Sequence, residues 1–322
     1  MVNHLKKCAK ITSYLLLFCA ITGLILYFGK DIFIQFKSIA PLFILISIVL
    51  QIPMIASGGL AFKILCTSLD ISMRFKDWVG LSFIANFLNQ LLPYRPGVGF
   101  RYLYMRQHYH MKAVQFVHVM FIYFLLTMLS SCAFTLIGWF NSKITTNYYT
   151  HILSACGFFI AILLCIFFLR FLFSHNRPSH SGFIEKLTVA LNTLLNNPGA
   201  LISATLSLLT LNALTAIIFY LIFLSLGNPL PFADCIFIVG IVILSMIIPI
   251  TPGNIGVLES IVGTLTQMLY QDFSLGFSAT ALFRVSQWIP SVLLGTCFSL
   301  VLAGSLLPKF SQYKLGPRQS VD

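Results

Sequence analysis

Two apolar stretches of this chain stop at the same five-residue pattern, Pro-x-x-Pro-Gly. The first is Pro93-Tyr94-Arg95-Pro96-Gly97, and the second is Pro249-Ile250-Thr251-Pro252-Gly253, 156 residues further on. Proline removes a backbone donor and stops a helix, and glycine permits turns closed to other residues. The apolar stretches they end, 78–92 and 235–248, have 15 and 14 residues. At a rise of about 1.5 Å per residue each reaches roughly 20 Å, short of a hydrocarbon core of about 30 Å. A less apolar, helix-like stretch follows each breaker and can return to the starting face. The pattern predicts two re-entrant hairpins built from broken helices.

Composition puts those hairpins in a membrane. The chain is 58% hydrophobic, 14% aromatic and 9% charged, with a mean hydropathy of +0.92. A soluble domain carries about 25% charged residues. Six apolar runs are long enough to cross a bilayer: 11–28, 39–62, 113–140, 152–173, 199–226 and 273–307. The fold class read from the sequence is an all-α polytopic membrane protein with about six transmembrane helices plus the two hairpins. Lys6, Lys7 and Lys10 before the first run resemble a signal peptide in charge. However, the run has the length of a span and no small-residue cleavage site follows, so it reads as an uncleaved first span. The eight cysteines lack metal-ligand spacing and mostly fall inside expected spans, where they act as small hydrophobes. No metal and no cofactor is expected.

The charge pattern tests the topology. There are 20 Lys+Arg against 8 Asp+Glu, scattered between the apolar runs rather than gathered in a nucleic-acid-binding domain. If the hairpins return, fourteen basic residues share one side and only Lys30, Lys37 and Lys143 take the other. That bias puts both termini in the cytoplasm; the expected location is a bacterial inner membrane. Residues 1–140 then read span, span, hairpin, span from the inside, and residues 150–307 repeat that order from the outside. Pro41 and Pro198, offset by 157, align with the breakers. The expectation is one integral membrane domain built as an inverted repeat, with a polar tail at 308–322. Within the connection before residue 198, helical spacing of Phe183, Leu187, Leu191 and Leu194 suggests a short interfacial helix. Doubled breakers in corresponding positions of two halves are the mark of transporters with a central site.

Arg95, Arg101, Glu259 and Arg284 are left at membrane depth. A charge there costs about 2.5–3.5 kcal/mol on insertion scales, so these side chains must face a protein interior or a wet groove. Mutual pairing is one account of Glu259, but three arginines face one acid. A helix restarting after Pro-Gly offers backbone N–H groups and a positive dipole end, which suit phosphate or carboxylate. Arginine adds a bidentate fork. Snorkelling to the surface is the plainer reading of Arg101. Asn86, Asn89, Gln90, Thr251 and Asn254 cluster around the breakers and can serve a ligand's head or the freed backbone. The substrate-binding candidates are therefore Arg95, Arg101, Arg284, Glu259, Asn89, Thr251 and Asn254. Pro93, Pro96, Gly97, Pro249, Pro252, Gly253 and Gly256 are the structural breakers. His108 and His110 do not share a helix face and read as part of an interfacial aromatic-basic segment. No two acids lie within five positions, and there is no HExxH, GxSxG or P-loop, so no catalytic residue is assigned.

At the breakers the chain resembles a flippase-like transmembrane family typified by the membrane region of lysylphosphatidylglycerol synthases. Asn89-Gln90-Leu91-Leu92-Pro93-Tyr94-Arg95-Pro96-Gly97 with Arg101 is similar to that family's N-x-x-L-P-x-R-x-G-E-x-x-R box. Residues 249–259, PITPGNIGVLE, are similar to its P-x-T-P-G-G-I-G-x-x-E box. Ala281, Arg284, Pro290 and Gly295 follow its final-span pattern. Val98 stands where the family has glutamate, and Asn254 where it has a second glycine. The resemblance implies movement of a lipid with a polar head between leaflets, without the cytosolic aminoacyltransferase domain of the synthases. The expected partner is a membrane lipid of phospholipid or polyprenyl-phosphate type. The alternatives are a scaffold that partners a membrane glycosyltransferase or aminoacyl-lipid synthase, and a lipid-modifying transferase.

Overall fold

The structure is a computed structural model and describes residues 39–91, 95–141, 197–246 and 251–313. Regular structure in those residues is helical throughout. The elements are α1 (Pro41–Thr67), α2 (Phe75–Leu91), α3 (Pro96–Tyr109), α4 (Ala113–Asn141), α5 (Pro198–Ser225), α6 (Phe232–Ser245), a 3-10 turn (Pro252–Asn254), α7 (Val257–Tyr270) and α8 (Phe273–Tyr313). Four of them, α1, α4, α5 and α8, are long and apolar enough to cross a bilayer. They coincide with four of the six expected crossings. The other two, at 11–28 and 152–173, lie outside the described residues, as do Pro93, Pro249 and the stretch 183–194. Helix α8 runs to Tyr313, six residues into the stretch read as a polar tail.

Proline sets the start of both first helices. Pro41 and Pro198 occupy the opening turn of α1 and α5, where the missing N–H costs no bond. The carboxamide of Asn197 caps α5 by accepting from the Ala200 N–H at 3.2 Å. Inside α1, Pro53 interrupts the ladder, and the Ser57 hydroxyl donates to its carbonyl at 2.7 Å.

The order long, short, break, short, long occurs twice, and the two sets pack in opposite directions. The Ala40 N–H donates to the Ser225 carbonyl at 2.9 Å, so the start of α1 lies at the end of α5. Helix α4 runs antiparallel to α6, with Gly138 against Phe237 and Gly240 against Thr135. Their counterparts α8 and α2 do the same, with Gly295 against Phe83 and Gly80 against Leu302. Small residues at these crossings let the backbones close up, which is how membrane helices gain packing energy. One apolar core gathers around α1–α4 and a second around α5–α8. The outward faces carry exposed Leu42, Leu45, Val49, Ile202, Leu206, Leu293 and Leu300.

Each short pair turns back on itself. Asp77, in the first turn of α2, accepts hydrogen bonds from Tyr109 at the end of α3 and from Tyr104 at 2.9 Å. Asp234, in the first turn of α6, accepts one from Tyr270 at the end of α7. Both arms of each hairpin therefore begin and end at the same level.

Candidate functional site

The first breaker is held by close backbone contact and one side chain. Arg95 takes a left-handed conformation (φ 53°) that ends the turn, and Pro96 starts α3. A Cβ on Gly97 would lie 2.1 Å from the Ala85 carbonyl of α2, so only glycine lets the arms meet. The Gly97 N–H is not left open for a ligand: it donates to the Asn89 carboxamide at 2.9 Å. Asn86 joins the same side, donating to Ser291 of α8 at 3.3 Å and accepting from Gln90.

The second breaker is held by charge. Gly253 (φ 58°), Asn254 (φ 54°) and Gly256 (φ 83°) all take left-handed conformations. The carbonyls this turns inward converge on Arg284 of α8. Its guanidinium donates to the Gly253 carbonyl at 2.7 Å, to the Asn254 carbonyl at 2.7 Å and to both carboxylate oxygens of Glu259. Glu259 also accepts from the Gly256 N–H at 2.8 Å, capping α7. The Thr251 hydroxyl donates to the Ile255 carbonyl at 2.8 Å. The pair is enclosed, with side chains 13% and 8% exposed for Arg284 and Glu259.

The two breakers meet. The Gln90 carbonyl, just before the first, lies 3.0 Å from where a Cβ on Gly253 would stand. Around this meeting point α1–α6 and α8 line an open cavity of about 300 Å³. Arg95, Arg101, Arg284, Asn89, Thr251 and Asn254 all line it, and Glu259 stands behind Arg284.

The three arginines are not equivalent. Arg284 has protein acceptors on Nε, Nη1 and Nη2. Among the described residues, no carboxylate meets Arg95 or Arg101. Arg95 lies over the Phe124 ring at 5.6 Å, and Arg101 over Phe62 at 4.5 Å with its Nε buried and without an acceptor. Asn254 is 7% exposed and its side-chain oxygen likewise has no donor.

Several contributors gave no signal in the sequence. Phe62, Tyr123 and Phe124 are ordinary aromatics on apolar helices, and only the fold brings them to the arginines. The Asp–Tyr ties at the hairpin bases did leave a trace, since Asp77/Asp234 and Tyr109/Tyr270 recur at nearly the offset of the breakers. Burial and the Asp77 hydrogen bond push the Tyr109 phenol up to about 12. The same causes, with Asp234 as partner, push Tyr270 upward.

No curated protein and no solved structure matches the chain. A family match exists, and it bears on these same breakers and on the apolar helices around them. The family model for the lysylphosphatidylglycerol synthase TM region matches residues 14–295, and the chain belongs to that family of membrane domains.

Proposed function

We propose that this chain is a lipid translocase, which moves a lipid with an anionic head between the leaflets of a membrane. Six crossings and two hairpins re-entering from opposite faces form an inverted repeat around one site. Both termini face the cytoplasm, following the fourteen-to-three bias of basic residues. The observation that carries the reading is the cavity where the two breakers touch, lined by two arginines that meet no acid among the described residues. A polar head would enter there while its acyl chains stay in lipid. Arg95 and Arg101 would hold the head, with Asn89, Thr251 and Asn254 around it. Arg284 and Glu259 would fix the second breaker as the opposite wall.

The test uses the purified chain in proteoliposomes with a fluorescent phospholipid and a membrane-impermeant quencher. Arg95→Ala should lower the flipping rate to that of protein-free vesicles while expression stays normal. An unchanged rate rejects the assignment. Copurification of a membrane glycosyltransferase or synthase, with no lipid movement in vesicles, would favour the scaffold instead.

A further inference from the structure

The two halves of the cavity differ in charge, and the difference selects among anionic heads; this inference rests on the translocase reading above. In the second half the Arg284–Glu259 pair cancels internally. In the first half Arg95 and Arg101 line the cavity over aromatic rings, with no acid against them among the described residues. Val98 also lines it, at the place where the resembling box carries glutamate. The Tyr123 phenol lies in the same wall.

We propose that this wall binds a doubly charged phosphate, a lipid phosphate monoester or diphosphate, in preference to a singly charged phosphodiester or a zwitterion. Two guanidiniums without an internal counter-ion are neutralised by two negative charges. A phosphodiester brings one and leaves the second arginine unpaired in a low-dielectric wall. A monoester also presents three terminal oxygens, enough for two guanidinium forks and one phenol.

The second ionisation of a phosphate monoester falls near pH 6, which gives the experiment a handle that belongs to the ligand. The full chain in phosphatidylcholine nanodiscs is titrated with phosphatidic acid, phosphatidylglycerol or inorganic phosphate, and bound ligand is read by native mass spectrometry. Phosphatidic acid should bind about tenfold more tightly than phosphatidylglycerol at pH 8, the worth of one extra charge-assisted hydrogen-bonded contact. The ratio should shrink towards one at pH 5. Arg101→Gln should remove the preference. Val98→Glu, which keeps both arginines and adds an internal counter-charge, should remove it too. Equal affinity for the two lipids at pH 8, with both still flipped in vesicles, overturns the dianion preference and leaves the translocase. The reverse result, preference without flipping of either lipid, overturns the translocase and leaves the dianion site. Inorganic phosphate binding as tightly as phosphatidic acid overturns the lipid source and assigns the site to free phosphate.

Discussion

The Arg284 clamp sets a measurable stability term. Arg284→Met removes the donor from two turned-in carbonyls and from a carboxylate whose side chain is 8% exposed. Breaking an enclosed ion pair from one side costs about 3–5 kcal/mol, because the surviving charge is stranded. The lost bonds to the Gly253 and Asn254 carbonyls belong to the same effect, since cavity water can replace part of them. We therefore expect about 4 kcal/mol, or about 8 °C in the unfolding midpoint at roughly 2 °C per kcal/mol. Glu259→Gln should cost less, about 2 kcal/mol, because the amide still accepts from the Gly256 N–H and Arg284 keeps its carbonyls. The double variant strands no charge. It should be more stable than the summed single effects require, by about 1–3 kcal/mol. The assay is heat-induced loss of the monodisperse peak of the detergent-solubilised chain, scored for all four proteins. Strict additivity of the two single variants, or an Arg284→Met midpoint within 2 °C of the parent, would refute the clamp.

Gly97→Ala should prevent the first hairpin from closing, since its Cβ would stand 2.1 Å from the Ala85 carbonyl; a loss of about 3 kcal/mol in the same assay is expected from overpacking, and a neutral result would mean that the arms are not in contact. Tyr109→Phe and Tyr270→Phe should each cost about 1–2 kcal/mol by removing a hydrogen bond to Asp77 or Asp234. Because the two ties belong to separate hairpins, their effects should add. A coupling above about 0.5 kcal/mol in the double variant would contradict that separation.

The parts of the fold that were legible in the sequence are those written in backbone chemistry. Pro41 and Pro198 mark the starts of α1 and α5, and the two Pro-Gly breaks mark where α2 and α6 give way to α3 and α7, because proline and glycine act on the chain itself. The fate of the freed N–H groups was not legible. The sequence left open whether they face a ligand or the amides clustered beside them; in the fold Asn89 and Glu259 take the ones on Gly97 and Gly256. A side chain eight residues back, or three ahead, reaches those groups only once the turn has its shape. The Arg284–Glu259 pair could be weighed as a pairing of opposite charges. Its two carbonyl acceptors could not, since carbonyls leave no mark in a sequence and turn inward only through the left-handed conformations at Gly253 and Asn254. The aromatic faces under Arg95 and Arg101 come from α4 and α1, and no local spacing ties those helices to the breaker.

Energetics separate the arginines into one that holds the fold and two that do not. With the hairpins re-entering as proposed, each guanidinium starts with a deficit of about 2.5–3.5 kcal/mol. Arg284 offsets it with an ion pair and two carbonyl bonds, and in doing so fixes a turn that would otherwise carry unsatisfied backbone. Arg95 and Arg101 have an aromatic face each, worth about 0.5–2 kcal/mol. Against the insertion cost that leaves a shortfall for both, and among the described residues neither side chain satisfies a helix cap or a turned-in carbonyl in return. Methionine at either position would fill similar space over Phe124 or Phe62 without the desolvation cost. The fold therefore tolerates these two charges rather than depending on them, and a charge kept at a net cost beside a cavity is what a binding wall requires.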